Sequence, residues 1–180
     1  LSGSVNKRLV AQLLSAGARA VGLSGEDGGL ITARVTDATF GRVGRDVSAD
    51  PRLLEDLLQR GWLPVVSPLA RDRESPEGLG LNVNGDDAAT AIAVAMHADE
   101  LCFVADVEGV LEQGARIPTL DRARISELAA RGVVQGGMLA KLEAALAAID
   151  AGVGAVRIGT LDLLRDPQAG TTIVAAIPAS

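Results

Sequence analysis

The sequence predicts an α/β fold: a largely parallel sheet with helices on both faces, in three layers, α/β/α. Three observations carry this. Short apolar runs that read as strands alternate with helical stretches through most of the 180 residues, the order from which parallel sheets with helices on both faces are built. Apolar residues make up 48% of the chain while aromatics make up 2%, so a sizeable core is available but must be assembled from Ala, Val, Leu and Ile. The 21 glycines supply the turns that such a fold needs.

Taken in order, Ser4 or Asn6 is placed to cap a helix running to about Gly17, with Val5, Leu9, Leu13 and Leu14 as its apolar stripe. Residues 18–23 read as a buried strand. Glu26-Asp27-Gly28-Gly29 signals a turn, and residues 30–35 form the next strand. Gly41-Arg42-Val43-Gly44 predicts a close-approach element or a bulged hairpin strand, so region 30–47 breaks the alternation as an antiparallel excursion. Asp50-Pro51 starts a helix, with Asp as cap and Pro at the first helical position, that ends at Gly61. Residues 63–66 are an apolar strand closed by Ser67-Pro68, and residues 71–80, charged and rich in Pro and Gly, form an exposed loop.

Residues 81–95, LNVNGDDAATAIAVA, organise the chain. A polar, glycine-bearing loop passes without a break into Ala, Ile and Val, as a loop feeding a helix N-terminus does. The helix behind it runs to about Ala98. Residues 100–105 form a strand ending at Asp106, and 107–114 are loop. Ser126 caps a short helix to Arg131. Gly136-Gly137 precede a long helix over 138–151. A strand at 155–158, a short helix at 161–165 and a strand at 171–175 close the chain.

The net charge is −6 and no Lys/Arg block stands out, which argues against a nucleic acid partner. One cysteine, Cys102, lies in an apolar run and reads as a buried core thiol; it leaves no disulfide to build. The lone histidine, His97, ends a helical run and reads as structural. No apolar stretch is long enough to span a membrane and no signal peptide is visible. The start at Leu1, without Met and in mid-pattern, predicts a fragment.

In parallel sheets ligands sit beyond the carboxyl ends of the strands. Ser67 and Asp106 lie at two such ends, and the 82–86 loop follows the first. Lys141 falls one turn into an Ala-rich helix led by Gly136 and Gly137, where a cation opposes the helix dipole unless an anion answers it; the alternative is a solvated surface lysine. The two glycines let backbone N–H groups approach a phosphate. Asp86 and Asp106 are the carboxylate candidates; each has three available roles, holding a metal-bound nucleotide, ordering a lysine or capping a turn. No GxxxxGK[ST], GxSxG, HExxH or GxGxxG pattern occurs.

SVNKRLV, AVGLSGEDGGLI, GRVG, LPVVSP, LNVNGDDAATAIA, ADVEGVL, VVQGGMLAKLEAAL and AGTTI occur in this order. Together they resemble the amino acid kinase family over nearly the whole chain. The resemblance implies an open, mostly parallel eight-stranded sheet sandwiched by helices, which binds ATP and Mg²⁺ without a P-loop. It implies transfer of the ATP γ-phosphoryl group to the side-chain carboxylate of N-acetyl-L-glutamate, in arginine biosynthesis, by a cytoplasmic homo-oligomer, a dimer or larger. Carried over by motif, Asn82 contacts the acylated amino acid, Asp86 orders catalytic lysines, and Lys141 stabilises charge on the transferring phosphoryl group. Asp106, Val107, Glu108, Gly109, Val110 and Leu111, with Val133, Val134, Gln135 and Met138, fall where the family meets the nucleotide; no residue is carried over as a metal ligand. Phosphoryl transfer depends on positioning and charge stabilisation, which agrees with this inventory.

The chain departs from the family pattern at Gly85, where Ala is usual, and at Ala105, where Thr or Ser is common. The family's glycine-rich first strand with a lysine, its Gly-Gly substrate loop and a substrate-binding arginine precede the VNKRLV region and are not in this sequence. The expectation is a single family domain fragment, with residues 1–60 closing the substrate and dimer side and 61–180 forming the nucleotide-binding portion. Two other readings stand beside it: a related kinase acting on carrier-linked aminoadipate in lysine biosynthesis, and a non-catalytic nucleotide- or amino-acid-binding module. The VNK and GGMxxK contexts argue against carbamate, uridylate and aspartate kinases.

Overall fold

The computed structural model describes residues 2–36, 41–75 and 77–177. The chain divides into two compact units, Leu1–Met96 and His97–Ser180. The changeover falls after the helix that follows the 82–86 loop, because that helix packs on the sheet preceding it in the chain.

Unit one runs α1 (Ser4–Ser15), β1 (Ala20–Ser24), β2 (Ile31–Val35), β3 (Gly44–Ala49), α2 (Arg52–Gln59), β4 (Leu63–Ser67), β5 (Leu69–Asp72), β6 (Gly80–Asn82) and α3 (Gly85–Ala95). β1 pairs parallel with β4, with α1 against both strands and α2 against β4. A second sheet has the order β3-β2-β5-β6. In it β2 is antiparallel to β3, with a register shift between Thr32 and Arg34, and parallel to β5. This is the antiparallel, bulged excursion that the glycines at 41 and 44 predict. Leu30, Ile31, Ala33, Leu54, Ala70, Leu81, Val83 and Ala88 form one buried cluster, without a single aromatic ring.

Unit two runs β7 (Glu100–Val104), β8 (Leu111–Glu112), β9 (Ala115–Arg116), β10 (Thr119–Leu120), α4 (Arg122–Ala130), α5 (Gly136–Asp150), β11 (Ala155–Gly159) and β12 (Thr171–Ile173), with a 3-10 turn at Leu161–Leu164. Its sheet has the order β10-β12-β11-β7. β7 and β11 are parallel, β11 and β12 antiparallel, and β10 and β12 parallel. β8 and β9 form a hairpin. The fold is α/β with mixed sheets: crossovers that include helices yield the parallel pairs, and returns through turns or the 3-10 connection yield the antiparallel ones. No helix among the described residues is long and apolar enough to cross a membrane.

Several helix starts differ from expectation. Neither Ser4 nor Asn6 caps α1; Gly3 precedes it and makes no side-chain cap. Asn6 is 5% exposed, and its amide donates to Val65 O at 2.8 Å and to Leu23 O at 3.4 Å. It spends its donor on two strand carbonyls that α1 would otherwise cover. Helix α2 begins at Arg52, one residue late, yet Asp50 Oδ1 still accepts the Arg52 N–H at 3.1 Å. Helix α4 is capped by Asp121, which accepts the Arg124 N–H at 2.9 Å, whereas Ser126 lies inside it and donates to Arg122 O. The predicted 71–80 loop is shorter, because β5 reaches Asp72 and pairs back on β6. Cys102 is half-buried, and burial first, then the Glu100 carboxylate, pushes its thiol pKa up.

Gly22 has a steric reason to be glycine: an added Cβ would lie 2.1 Å from Asn6 Oδ1 and 3.0 Å from Val10 Cγ2. Gly22→Ala should destabilise by about 1–3 kcal/mol through overpacking. In an Asn6→Ala background the same change should cost measurably less, and equal urea-unfolding penalties in both backgrounds would refute the contact. Asp50 is paired with Arg52 at 2.5 Å, and that hydrogen bond lowers its carboxyl to about 2 from 3.8. A depressed carboxylate stabilises above its unfolded pKa and loses that contribution as pH falls. The difference in urea midpoint between wild type and Asp50→Asn should therefore close as pH falls from 3.8 through about 2.

Candidate functional site

In unit one the site residues lie on the short path from β6 into α3. Asn82 closes β6; its N–H donates to Arg42 O at 2.8 Å, and it bridges to Val43. Val83 is buried and donates its N–H to Pro68 O at 3.2 Å. Alternation along the extended segment leaves Asn82 and Asn84 exposed on either side of this anchor. Asn84 is extended and is the cap: its Oδ1 accepts the Asp86 N–H at 2.8 Å. Asp86 and Asp87 then sit in the first turn, where the helix dipole favours negative charge. The Asp87 carboxyl is pushed above its usual value, first by burial, then by Asp86, with Arg45 opposing. The loop borders a polar groove of about 440 Å³ lined by Val43, Gly44, Arg45, Asp46, Asn84 and Asp87. An apolar cavity of about 200 Å³ lies at the start of α3, walled by Ile31, Val66, Pro68, Ala88 and Ile92 with Ser67 among them.

In unit two the parallel pairing of β7 with β11 sets the geometry. It places Val104 beside Gly159, so both strands end at one edge, and Ala105 N–H donates to Gly159 O at 2.7 Å. Asp106, exposed, follows immediately. Helix α5 returns to the start of β11 through residues 151–154, so it runs against the strands. Fifteen residues make α5 about 22 Å long, against roughly 16 Å for a five-residue strand. Its N-terminus therefore reaches the edge where β7 and β11 end.

That N-terminus is open. Gln135 makes no side-chain cap, no acid stands in the first turn, and a Cβ on Gly136 or Gly137 would meet nothing within 4 Å. Gly136 has φ +54, a conformation that glycine adopts at little cost. Backbone donors without competing side chains suit an anion such as phosphate. Lys141 is the sixth residue of α5, past the first turn where the sequence placed it, so the dipole penalty has largely fallen away. Its Nζ lies 4.9 Å from the ring centre of Phe103 on β7, a cation–π approach that holds the lysine toward the β7 strand.

The 106–111 segment is tied down from beneath. Thr171 Oγ1, fully buried, accepts the Val110 N–H at 2.8 Å and donates to Ile117 O at 2.7 Å. Gly109 has φ +143, and a Cβ there would meet Thr171 Oγ1 at 2.6 Å. Asp106 and Glu108 are exposed while Val110 is 1% exposed. On the second segment Val133, Gln135 and the glycines are exposed, Met138 is half-buried and Val134 is buried. The valines at 110 and 134 anchor the two segments from below. Sequence reasoning put an Asn or Asp cap in this loop without choosing Asn84, and it missed Phe103 beneath Lys141 and Thr171 beneath Val110. The last two act across 38 and 61 positions of sequence; the AGTTI motif was the one available trace of Thr171.

A sequence model of the amino acid kinase family matches residues 1–160, and the chain belongs to that family. It is 44% identical over 167 residues to acetylglutamate kinase of Chloroflexus aurantiacus, an alignment covering 91% of this chain and 65% of that protein. The chain thus spans just under two thirds of that relative's length. A crystal structure from Streptococcus mutans superposes with a TM-score of 0.82 at 34% identity, covering 97% of this chain and 68% of that one. N-acetylglutamate synthase of Neisseria gonorrhoeae, complexed with coenzyme A and N-acetyl-glutamate, gives 0.79 at 25% identity, covering 99% of this chain and 43% of that one.

Thr171→Val keeps the shape of the side chain but orphans the Val110 N–H and the Ile117 carbonyl. It should destabilise by about 1–3 kcal/mol per orphaned group. Amide exchange at Val110 should accelerate with it, and an unchanged Val110 exchange rate would show that the hydroxyl does not hold the segment.

Proposed function

We propose that the protein transfers the γ-phosphoryl group of ATP to the side-chain carboxylate of N-acetyl-L-glutamate, in arginine biosynthesis. The 44% identity to acetylglutamate kinase supports this reading, and the geometry that carries it is the open glycine start of α5 with Lys141 held near β7. Within unit two, Asp106 to Leu111, Val133 to Gln135 and Met138 contact the nucleotide. The α5 N–H groups donate to phosphate, and Lys141 stabilises the charge spread over the transferring phosphoryl oxygens. Within unit one, Asn82 binds the acylated amino acid and Asp86 supplies the negative charge that orders catalytic lysines.

ATP supplies the phosphoryl group, and Mg²⁺ neutralises its phosphate oxygens. No group of three or more His, Cys, Asp or Glu suited to a metal occurs among the described residues. Mg²⁺ asks for one or two carboxylates beside phosphates and water, so in this reading it arrives on the nucleotide. The acceptor is a carboxylate, already ionised at neutral pH, so no general base is required. A cytoplasmic homo-oligomer belongs to the same reading. Lysine-pathway aminoadipate kinase activity is the nearest competing enzyme, and the NVNGD loop favours the acetylglutamate substrate over it.

We further infer that this chain binds MgATP without sustained turnover. It spans 65% of the length of the relative, and holding two reactants in line supplies about 7–11 kcal/mol of a barrier, which a partial site forfeits. Calorimetry with MgATP and a coupled assay with N-acetyl-L-glutamate test this, and robust acceptor-dependent turnover by the 180-residue chain would refute it. In a chain carrying the preceding family segment, Lys141→Ala should lower kcat by ~10²-fold or more with a smaller effect on the ATP KM. Asn82→Ala should raise the acetylglutamate KM and spare ATP, and Asp86→Asn should mainly slow chemistry. If Asn82→Ala instead damages the ATP KM alone, the 82–86 loop serves the other ligand. In that longer chain, MgATP binding with neither acceptor phosphorylated would leave the non-catalytic module.

A further inference from the structure

Four charged side chains in unit two close a ring of ion pairs. Arg124 Nη2 meets Glu112 Oε2 at 2.5 Å, and Arg131 Nη1 meets Glu112 Oε1 at 2.7 Å. Both arginines also pair with Glu127, Arg131 at 3.0 Å. The Glu127 pairs are local to α4 and its C-terminal cap, at spacings of three and four residues. The Glu112 pairs are not: they join α4 to β8. Glu112 is also the least exposed of the four, at 20% against 32–50%, so solvent screens it least.

The position of Glu112 in the chain makes this link specific. It adjoins Leu111, the last residue of the 106–111 segment. Arg131 lies two residues before Val133, where the 133–135 segment begins. Each oxygen of the Glu112 carboxylate takes a different arginine, so the carboxylate plane is held at two points. Thr171 anchors the first segment alone; Glu112 spans from the first segment to the second.

We propose that Glu112 is a positioning residue that fixes the spacing between the 106–111 and 133–135 segments and thereby sets the affinity of the site they form for a nucleotide. The ligand rests on the function proposed above; the mechanical link does not. Glu112→Gln keeps the size but turns an amide N–H₂ toward one arginine, so one of the two pairs becomes donor against donor.

Hydrogen exchange on the 180-residue chain tests the link without any ligand. Glu112→Gln should accelerate exchange in both 106–111 and 133–135 by about tenfold, since the segments open more often. Unchanged exchange at 133–135 would overturn the proposal. Calorimetry with MgATP, at a temperature where far-UV circular dichroism shows the variant fully folded, should give a dissociation constant about tenfold weaker than wild type, a gap that shrinks in 1 M NaCl, where the screening length is only about 3 Å. A merely structural role would lower the melting temperature and leave that constant unchanged, and so count against positioning. Arg131→Gln breaks the same link from the α4 side and replaces Glu112→Gln in both measurements if the latter does not fold. Wild-type chain that fails to bind MgATP would overturn the proposed nucleotide site, and the exchange comparison would still decide the link.

Discussion

The parallel register of β7 against β11 is the constraint on which unit two depends. Parallel neighbours cannot be joined by a tight turn, so the chain between Val104 and Ala155 must travel out and back. Everything proposed for the nucleotide lies on that excursion: the 106–111 segment, the β8–β9 hairpin, α4, the 133–135 segment and α5. Because α5 is the returning arm, its N-terminus comes to the edge where the strands end. The open glycine start and Lys141 are products of that direction of travel. A buried aromatic on β7 then gives the lysine a place to rest.

The two helix starts nearest the proposed site residues are built in opposite ways. Helix α3 is closed by Asn84 and carries Asp86 and Asp87 in its first turn, so its positive end is answered by its own side chains. Helix α5 has no side-chain cap and no first-turn acid, so its positive end is left to whatever binds. This difference is a reason to seek the phosphate at α5 and a polar amino-acid ligand near the α3 loop. It is written in the residues themselves, as NGDD against QGGM.

Beneath these ends the core is mostly aliphatic, with Phe103 its buried aromatic, and buried polar tethers cross it. Asn6 binds α1 to β1 and β4. Thr171 binds the 106–111 segment to β12 and to the Ile117 carbonyl. Arg157, 5% exposed on β11, pairs with Glu100 at 3.0 Å and donates to the carbonyl oxygens of Leu163 and Asp166, fastening the 3-10 turn. Each satisfies backbone groups that small apolar side chains leave accessible, and such groups are costly to strand.

The sequence by itself determined the class of fold, the order of the helices and longer strands and the bulged excursion after Leu30, and it supplied the residues around which the site is proposed. These are local matters: hydrophobic period, glycine and proline placement and cap chemistry are set within a few positions of each residue. It misread Asn6 and Ser126, because a cap and a buried tether have the same side chain and differ in what lies across from them. Tertiary structure alone decided the pairing of β7 with β11, the seat of Lys141 over Phe103, the hold of Thr171 on Val110 and the reach of Glu112 to α4. Those contacts join residues from 12 to 61 positions apart, and no local preference encodes which distant partner a side chain will meet. Packing chooses it, once the strands have closed and the remaining polar groups must be satisfied where they stand.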